Sequence, residues 1–270
     1  MSKNQTGVAL VTGASSGIGK ATALALKKAG YRVFGTSRKA TAGADGIEML
    51  VCDVTDEASV RGMVAEVLKL AGAIDLLVNN AGIGLVGGAE ESSSAQAKAL
   101  FDVNVFGVLR VTNAVLPAMR RQGNGRIINM SSILGLIPSP YGALYAATKH
   151  AVEGYSESLD HELRTFGIRV VLVEPGFTRT SFEESITRPD RLDSLYDSER
   201  SRMEVLMRRG IEAGDAPEVV ADAVVKAAMT EVPRRRYTAG KQARQVRFLR
   251  RFMPEALVDK SLRKFNGLPA

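Results

Sequence analysis

Tyr145 and Lys149, in the stretch Tyr145-Ala146-Ala147-Thr148-Lys149, stand four residues apart. On a helix this spacing puts a phenol and an ammonium on one face. The cation favours the phenolate and lowers the tyrosine pKa from about 10 towards working pH. Such a pair can give a proton to a carbonyl oxygen or take one from an alcohol. Tyr/Lys pairs at this spacing also occur by chance on helix surfaces, so the rest of the chain has to supply a site. His150 directly follows Lys149 and points off its face, and His161 lies about four turns beyond Tyr145; both are taken as structural.

The first supporting element is at the amino end. Gly7-Val8-Ala9-Leu10-Val11 reads as a buried strand and runs into Thr12-Gly13-Ala14-Ser15-Ser16-Gly17-Ile18-Gly19, followed by a helical pattern closed by Gly30. A strand, a glycine turn and a helix start let a pyrophosphate approach free backbone N–H groups. Gly13, Ser15, Ser16, Gly17, Ile18 and Gly19 are the candidate contacts, although the spacing is G-x-x-x-G-x-G rather than the usual G-x-G-x-x-G. The next strand, Tyr31 to Thr36, ends in Ser37-Arg38-Lys39 where a dinucleotide fold usually carries an acid for the ribose hydroxyls. A guanidinium at that place suits a 2′-phosphate, which predicts NADP(H) over NAD(H).

Further strands are predicted at Ile47–Cys52, Ile74–Val78, Gly125–Met130 and Ile168–Val173, with an edge strand at Arg236–Ala239. After the first of these, Asp53 and Val54 suit an adenine amino group and ring face; equally, Asp53 or Thr55 could cap the helix at 56–71. Asn79-Asn80-Ala81-Gly82 brings small residues to a turn beside a cofactor. A helix near 103–121 is apolar over most of its circumference, which suggests a subunit contact as well as a sheet contact. Asn104 interrupts it, and a site role and a structural hydrogen bond are equally open. Residues 133–144 read as a loop and precede the helix that carries Tyr145 and runs to about Phe166. Residues 177–214, after a strand's carboxyl end, mix charges with apolar side chains and suit a substrate lid. A helix is predicted at 217–229. Strands alternating with helices predict an α/β fold: a doubly wound parallel sheet of seven strands with helices on both faces, in a single domain.

Bulk properties limit the function classes. The chain has 270 residues, 45% hydrophobic and 24% charged, so it can bury a large core. A single cysteine, Cys52, excludes an internal disulfide, and no Cys/His cluster has metal-ligand spacing. Met1–Thr6 is short and polar, and no uninterrupted apolar run reaches the ~18 residues of a membrane span; a cytoplasmic protein is expected. Residues 234–270 hold 11 Lys/Arg against 2 Asp/Glu, while residues 1–233 hold 25 against 27. The near-neutral body argues against nucleic acid as a partner. The division expected is a body at 1–240, including the lid, and a basic helical extension at 241–270. Within that extension Val246, Leu249, Phe252 and Met253 share a helix face. The tail therefore fits either a helix packed beside the lid or peripheral contact with an anionic membrane, with the first preferred.

With these pieces the chain resembles the short-chain dehydrogenase/reductase family over nearly its whole length. Seven stretches in the family's order carry the likeness: Thr12-Gly13-x-x-x-Gly17-Ile18-Gly19, Asp53-Val54, Asn79-Asn80-Ala81-Gly82, Asn104, Ser132, Tyr145-x-x-x-Lys149 and Pro175-Gly176-x-Thr178. The resemblance implies Tyr145 as general acid/base and Lys149 as the group that lowers its pKa and binds the nicotinamide ribose. It implies Ser132, 13 residues before the tyrosine, as the holder of the substrate oxygen, in preference to Ser131. Asn104 would hold a water in a proton relay from Lys149. Pro175, Gly176 and Thr178 would lie beside the nicotinamide, with Thr178 on its carboxamide. Arg38 matches the basic position of NADP-preferring members. Asn80-Ala81-Gly82-Ile83-Gly84-Leu85-Val86-Gly87, Asp102–Gly107 and Arg236-Tyr237 with a basic tail are most similar to the 17β-hydroxysteroid and retinol dehydrogenases. A carbonyl/alcohol oxidoreductase for a hydrophobic, steroid- or retinoid-like small molecule follows, as a homodimer or homotetramer. The alternatives are a 3-oxoacyl-acyl carrier protein reductase and a dinucleotide-sensing protein without chemistry.

Overall fold

The computed structural model describes residues 6–40, 43 and 45–268; the polar segment Met1–Gln5 lies outside them. The chain begins with strand β1 (Gly7–Val11), helix α1 (Gly17–Lys28) and strand β2 (Tyr31–Ser37). Strand β3 (Glu48–Val51), helix α2 (Glu57–Ala71) and strand β4 (Leu76–Asn79) follow. Then come the two-residue strand β5 (Gly84–Leu85), helix α3 (Ser94–Phe101), a π-helical turn at Asp102–Phe106, helix α4 (Gly107–Gln122) and strand β6 (Gly125–Met130). Helix α5 (Ala143–Leu163) carries Tyr145 and Lys149 and leads to strand β7 (Ile168–Pro175). The segment beyond holds strand β8 (Ile186–Thr187) and helix α6 (Asp197–Glu212). Helix α7 (Pro217–Met229), strand β9 (Arg236–Ala239), helix α8 (Lys241–Phe252) and helix α9 (Glu255–Phe265) complete the chain.

Among the described residues seven strands form one parallel sheet in the order β3-β2-β1-β4-β6-β7-β9. Strand side chains alternate between two cores, as the period of two requires. Val8, Leu10, Leu77, Ile127 and Val170 pack with Val60, Val64 and Val67 of α2, Val111 and Val115 of α4, and Leu159 of α5. Their neighbours Ala9, Val11, Val78, Ile128 and Val171 pack on the other face with Ala23 and Leu26 of α1 and Val220 and Val224 of α7. Strands apolar on both faces are what a doubly covered parallel sheet demands. Connections leave β1 and β4 towards opposite sides, so their carboxyl ends flank a crevice.

Four local readings differ from expectation. Asp56 caps α2, its carboxylate accepting from the N–H groups of Ala58 and Ser59 at 2.9 and 3.3 Å. Asp53 turns instead to Thr55, accepting from its N–H at 2.9 Å and its hydroxyl at 2.7 Å. The apolar stretch near 103–121 opens with the π turn, where Asn104 sits; Val105, Val108, Val111, Val115 and Met119 are buried and Phe106 is left exposed. The continuous helical run Ser94–Gln122 is long and apolar enough to cross a membrane by length and composition, but its apolar face serves the core. The small parallel pair of β5 and β8 was not expected.

Candidate active site

A cavity of about 680 Å³ runs from the glycine turn, past Tyr145, to the expected lid segment (177–214) and the carboxyl-terminal helices. Two loops at the crevice are locked together. The Thr12 hydroxyl accepts from the N–H groups of Asn80 and Ala81 at 2.9 and 3.1 Å. The Asn80 amide donates to the carbonyls of Thr12 and Gly13 at 3.0 and 3.1 Å. Gly13 has φ +66°, and a Cβ at Gly19 would meet the Gly13 carbonyl oxygen at 2.1 Å, so the turn needs glycine at both places. The first turn of α1 has no acidic residue, and Ser16 at its cap makes no side-chain hydrogen bond to it. Gly17, Ile18 and Gly19 of this turn line the cavity beside Ser15 and Ser16, so the helix start borders it.

Ser37, Arg38, Asp53, Val54, Asn80, Ala81 and Gly82 line the same end of the cavity. The Ser37 hydroxyl is taken up by the Lys39 carbonyl, while Arg38 is exposed. Hydrogen bonds from Thr55 hold the Asp53 carboxyl below its ordinary range, and Arg38 adds to this. An anion-seeking helix start and an ionised carboxylate strung along one crevice fit the phosphates and the base of a dinucleotide.

At the centre, Tyr145 is part-buried and Lys149 is buried, as their shared face requires. The Lys149 Nζ lies 5.6 Å from the centre of the Tyr145 ring and donates to the Met130 carbonyl at 2.9 Å. The expectation that Lys149 pulls the phenol pKa down is corrected here. Burial pushes the Tyr145 pKa up, and burial pushes Lys149 down to about 8, with Glu153 opposing. Spacing gave the proximity; desolvation of both groups outweighs it.

Ser132 lines the cavity, and its hydroxyl accepts from the Leu134 N–H at 3.1 Å. Ser131 is buried beside Glu153, whose pKa burial raises against opposing contributions from Ser131 and Arg236; Ser131 closes no well-aligned hydrogen bond. Asn104 is fully engaged. Its amide oxygen accepts from the Ile83 N–H at 2.9 Å. Its nitrogen donates to the Ile83 carbonyl and the Thr148 hydroxyl at 2.9 and 3.2 Å. Thr148 in turn donates to the Tyr145 carbonyl at 2.7 Å. Asn104 therefore ties the loop after β4 to the helix turn that presents Tyr145. Pro175, Gly176 and Thr178 line the cavity beyond β7; Thr178 donates to the Gly176 carbonyl at 3.2 Å.

Several participants carry no short sequence signal. Gln242 of α8 accepts from the Phe177 N–H at 3.1 Å and so fixes the Pro175–Thr178 loop from the tail. The lid is fastened by Glu91, which takes N–H groups from Gly88 at 2.7 Å and Asp193 at 2.9 Å and the guanidinium of Arg200. Phe182, Ile186, Met203, Leu206 and Met207 of the lid meet Val246, Met253, Val258 and Leu262 of the tail around one apolar chamber. The Phe182 ring sits 6.2 Å from that of Tyr145.

Behind Lys149 is a buried acidic pair. Arg236 of β9 bonds Glu153 at 2.8 Å and lies 3.0 Å from one oxygen of Glu174, while Arg247 of α8 lies 3.7 Å from the other. Neither closes a well-aligned hydrogen bond to Glu174, which has no exposed surface. Burial, then Glu153, push the Glu174 pKa up from 4.5 to about 7 against the two arginines. The native state then holds this proton more tightly than the unfolded chain. Its stabilising contribution is complete below pH 4.5 and is lost as pH rises to about 7. Glu174→Gln is expected to remove up to about 3 kcal/mol of that pH dependence, read as a flatter Tm profile across this interval.

The comparisons with known proteins agree with this geometry. The family model described as short chain dehydrogenase matches residues 7–191. A 3-ketodihydrosphingosine reductase of Bacteroides thetaiotaomicron is 45% identical over 181 residues, 67% of each chain. Retinol dehydrogenase 8 of Bos taurus is 35% identical over 240 residues, 80% of this chain and 76% of the relative. Among solved structures, a short-chain dehydrogenase from Streptomyces avermitilis superposes with TM-score 0.82 at 34% identity, covering 97% of this chain and 98% of that one. One from Burkholderia phymatum, in complex with NAD, gives 0.79 at 25% identity, covering 96% and 97%. NADP-bound ElxO gives 0.71 at 28% identity, covering 87% and 97%.

Proposed function

The chain belongs to the short-chain dehydrogenase family of oxidoreductases, and from that premise we propose that it is an NADP(H)-dependent reductase of hydrophobic ketones, interconverting them with secondary alcohols. The observation that carries this reading is the position of Tyr145. Its phenol stands where the polar crevice of the glycine turn meets the apolar chamber of lid and tail. A bound nicotinamide dinucleotide supplies the hydride. The glycine turn and the start of α1 would hold its phosphates, and Thr178 would contact its nicotinamide end. Ser132 donates to the substrate oxygen, and Tyr145 delivers the proton to that oxygen as it gains electrons. Lys149, still cationic below its pKa of about 8, stabilises the phenolate that results.

Arg38 supports the choice of NADP(H), since a guanidinium binds a phosphate in a paired, charge-assisted geometry. Arg38→Ala is expected to raise KM for NADPH by about tenfold or more, with less than about threefold change for NADH. Initial rates with both cofactors check this. The chamber's aliphatic, Met and Phe walls support an apolar substrate, in keeping with the ketosphingoid and retinoid names of two relatives. The decisive test is nicotinamide absorbance with NADPH and a ketone series graded by chain length. Rates that rise with apolar length support the reading; turnover confined to small polar ketones, or NADH preferred throughout, overturns it.

A further inference from the structure

The two carboxyl-terminal helices have a second face besides the one that closes the chamber. Phe248 and Phe252 of α8 are 62% and 64% exposed, and their rings lie 5.0 Å apart. Paired aromatics one helical turn apart, their planes 48° to each other and both open to solvent, are costly on a free surface and typical of a contact face. The two helices are strongly basic: residues 241–268 hold eight Lys/Arg against Glu255 and Asp259, and one of the eight, Arg247, turns inward to Glu174. Arg244, Arg250 and Arg251 are exposed, and the Arg251 guanidinium lies 5.7 Å from the centre of the Phe252 ring.

This face adjoins the mouth of the cavity. Leu249, next to Phe248 in the chain, and Phe265 of α9 both line the cavity and are both exposed, so they form its outer rim. The exposed Arg250 and Ser261 stand on the same rim.

We propose that α8 and α9 dock on the surface of an anionic phospholipid bilayer, with Phe248 and Phe252 as apolar anchors and the cavity rim turned towards the lipid. Exposed aromatics beside arginines match the headgroup–acyl boundary, where rings enter the apolar layer and cations meet lipid phosphates. Charge separates this occupant from a second copy of the chain. Two such faces apposed would bring like charges together, whereas an anionic leaflet complements each one. On the proposed function, the arrangement gives a membrane-dissolved ketone direct access to the chamber; the docking itself does not depend on turnover.

The test is co-sedimentation of the full chain with vesicles of phosphatidylcholine alone and of equimolar phosphatidylcholine and phosphatidylglycerol. The protein is expected to pellet with the anionic vesicles, to remain soluble with the neutral ones, and to be released by salt. Phe248→Ser/Phe252→Ser and Arg244→Gln/Arg251→Gln should each weaken binding about tenfold or more. None of these four side chains lines the cavity, so turnover of a short, water-soluble ketone should be unchanged. Failure to bind anionic vesicles at low salt overturns the proposal. Undiminished binding by both double variants overturns it too. So does a change from dimer to monomer in the Phe variant by analytical ultracentrifugation without vesicle binding in the parent, since the face then belongs to a second copy.

Discussion

Tyr145→Phe is expected to lower kcat for ketone reduction by about 10²–10⁴-fold while the Kd for NADPH changes by less than about threefold. The substitution removes one oxygen and keeps the ring that packs 6.2 Å from Phe182, so the chamber wall stays in place. The loss is therefore one of proton delivery. Burial keeps the phenol protonated, which is the form that reduction consumes. The ammonium is the weaker link. Once pH rises through about 8, Lys149 loses its charge and the phenolate formed in the reaction loses its stabilisation. For the parent enzyme kcat/KM for reduction should thus fall on the alkaline side with an apparent pKa near 8, and Lys149→Met should abolish that limb. Rates measured across pH with saturating NADPH decide it. Full turnover by the Phe variant, or an alkaline limb that survives in the Met variant, would remove Tyr145 or Lys149 from the assigned role.

What the sequence made legible was what chain neighbours decide together. The glycine turn, the Tyr145/Lys149 face and the parallel sheet depend on spacing over one or two turns, and each is in place. Cap assignment shows how narrow that competence is. Asp53, Thr55 and Asp56 are all cap-competent, and the Asp53–Thr55 hydrogen bonds leave only Asp56 for α2. The acidity of Tyr145 is not legible from spacing, which gives a distance but not a solvent. The lid fasteners were invisible for another reason. Glu91 and Arg200, or Gln242 and Phe177, meet only after the chain has folded, and none stands in a motif. The tail is the instructive case. Its basic, amphipathic pattern allowed both packing beside the lid and an exposed contact face. Val246, Met253, Val258 and Leu262 enter the chamber while Phe248 and Phe252 remain outside, so the two helices present both kinds of face.

The fastening of that lid leads to the second large effect. Glu91→Ala is expected to destabilise the segment 186–200 by about 3 kcal/mol, the lower end for a broken buried pair, because the buried Arg200 charge keeps only Asp197, a mostly exposed partner. Glu91 is 1% and Arg200 7% exposed, so solvent does not compensate. The Gly88 and Asp193 N–H groups lose their acceptor as well. Burial alone would raise the Glu91 pKa, but those N–H groups and Arg200 outweigh it and hold it below 4.5. Its contribution is accordingly present above pH 4.5 and is lost as pH falls through the lower native value. Hydrogen exchange should rise across 186–200 and leave the sheet strands protected. Since Ile186 and Met203 border the chamber, kcat/KM for a hydrophobic ketone should drop about tenfold or more, with NADPH binding retained. Glu91→Leu/Arg200→Met separates the two physical causes. Removing both charges leaves the two N–H groups to resatisfy and releases Asp197, which is mostly solvated, so the double variant should be more stable than Glu91→Ala although it carries one more substitution. A double variant that is less stable would mean that the pair stabilises the lid beyond avoiding a buried lone charge.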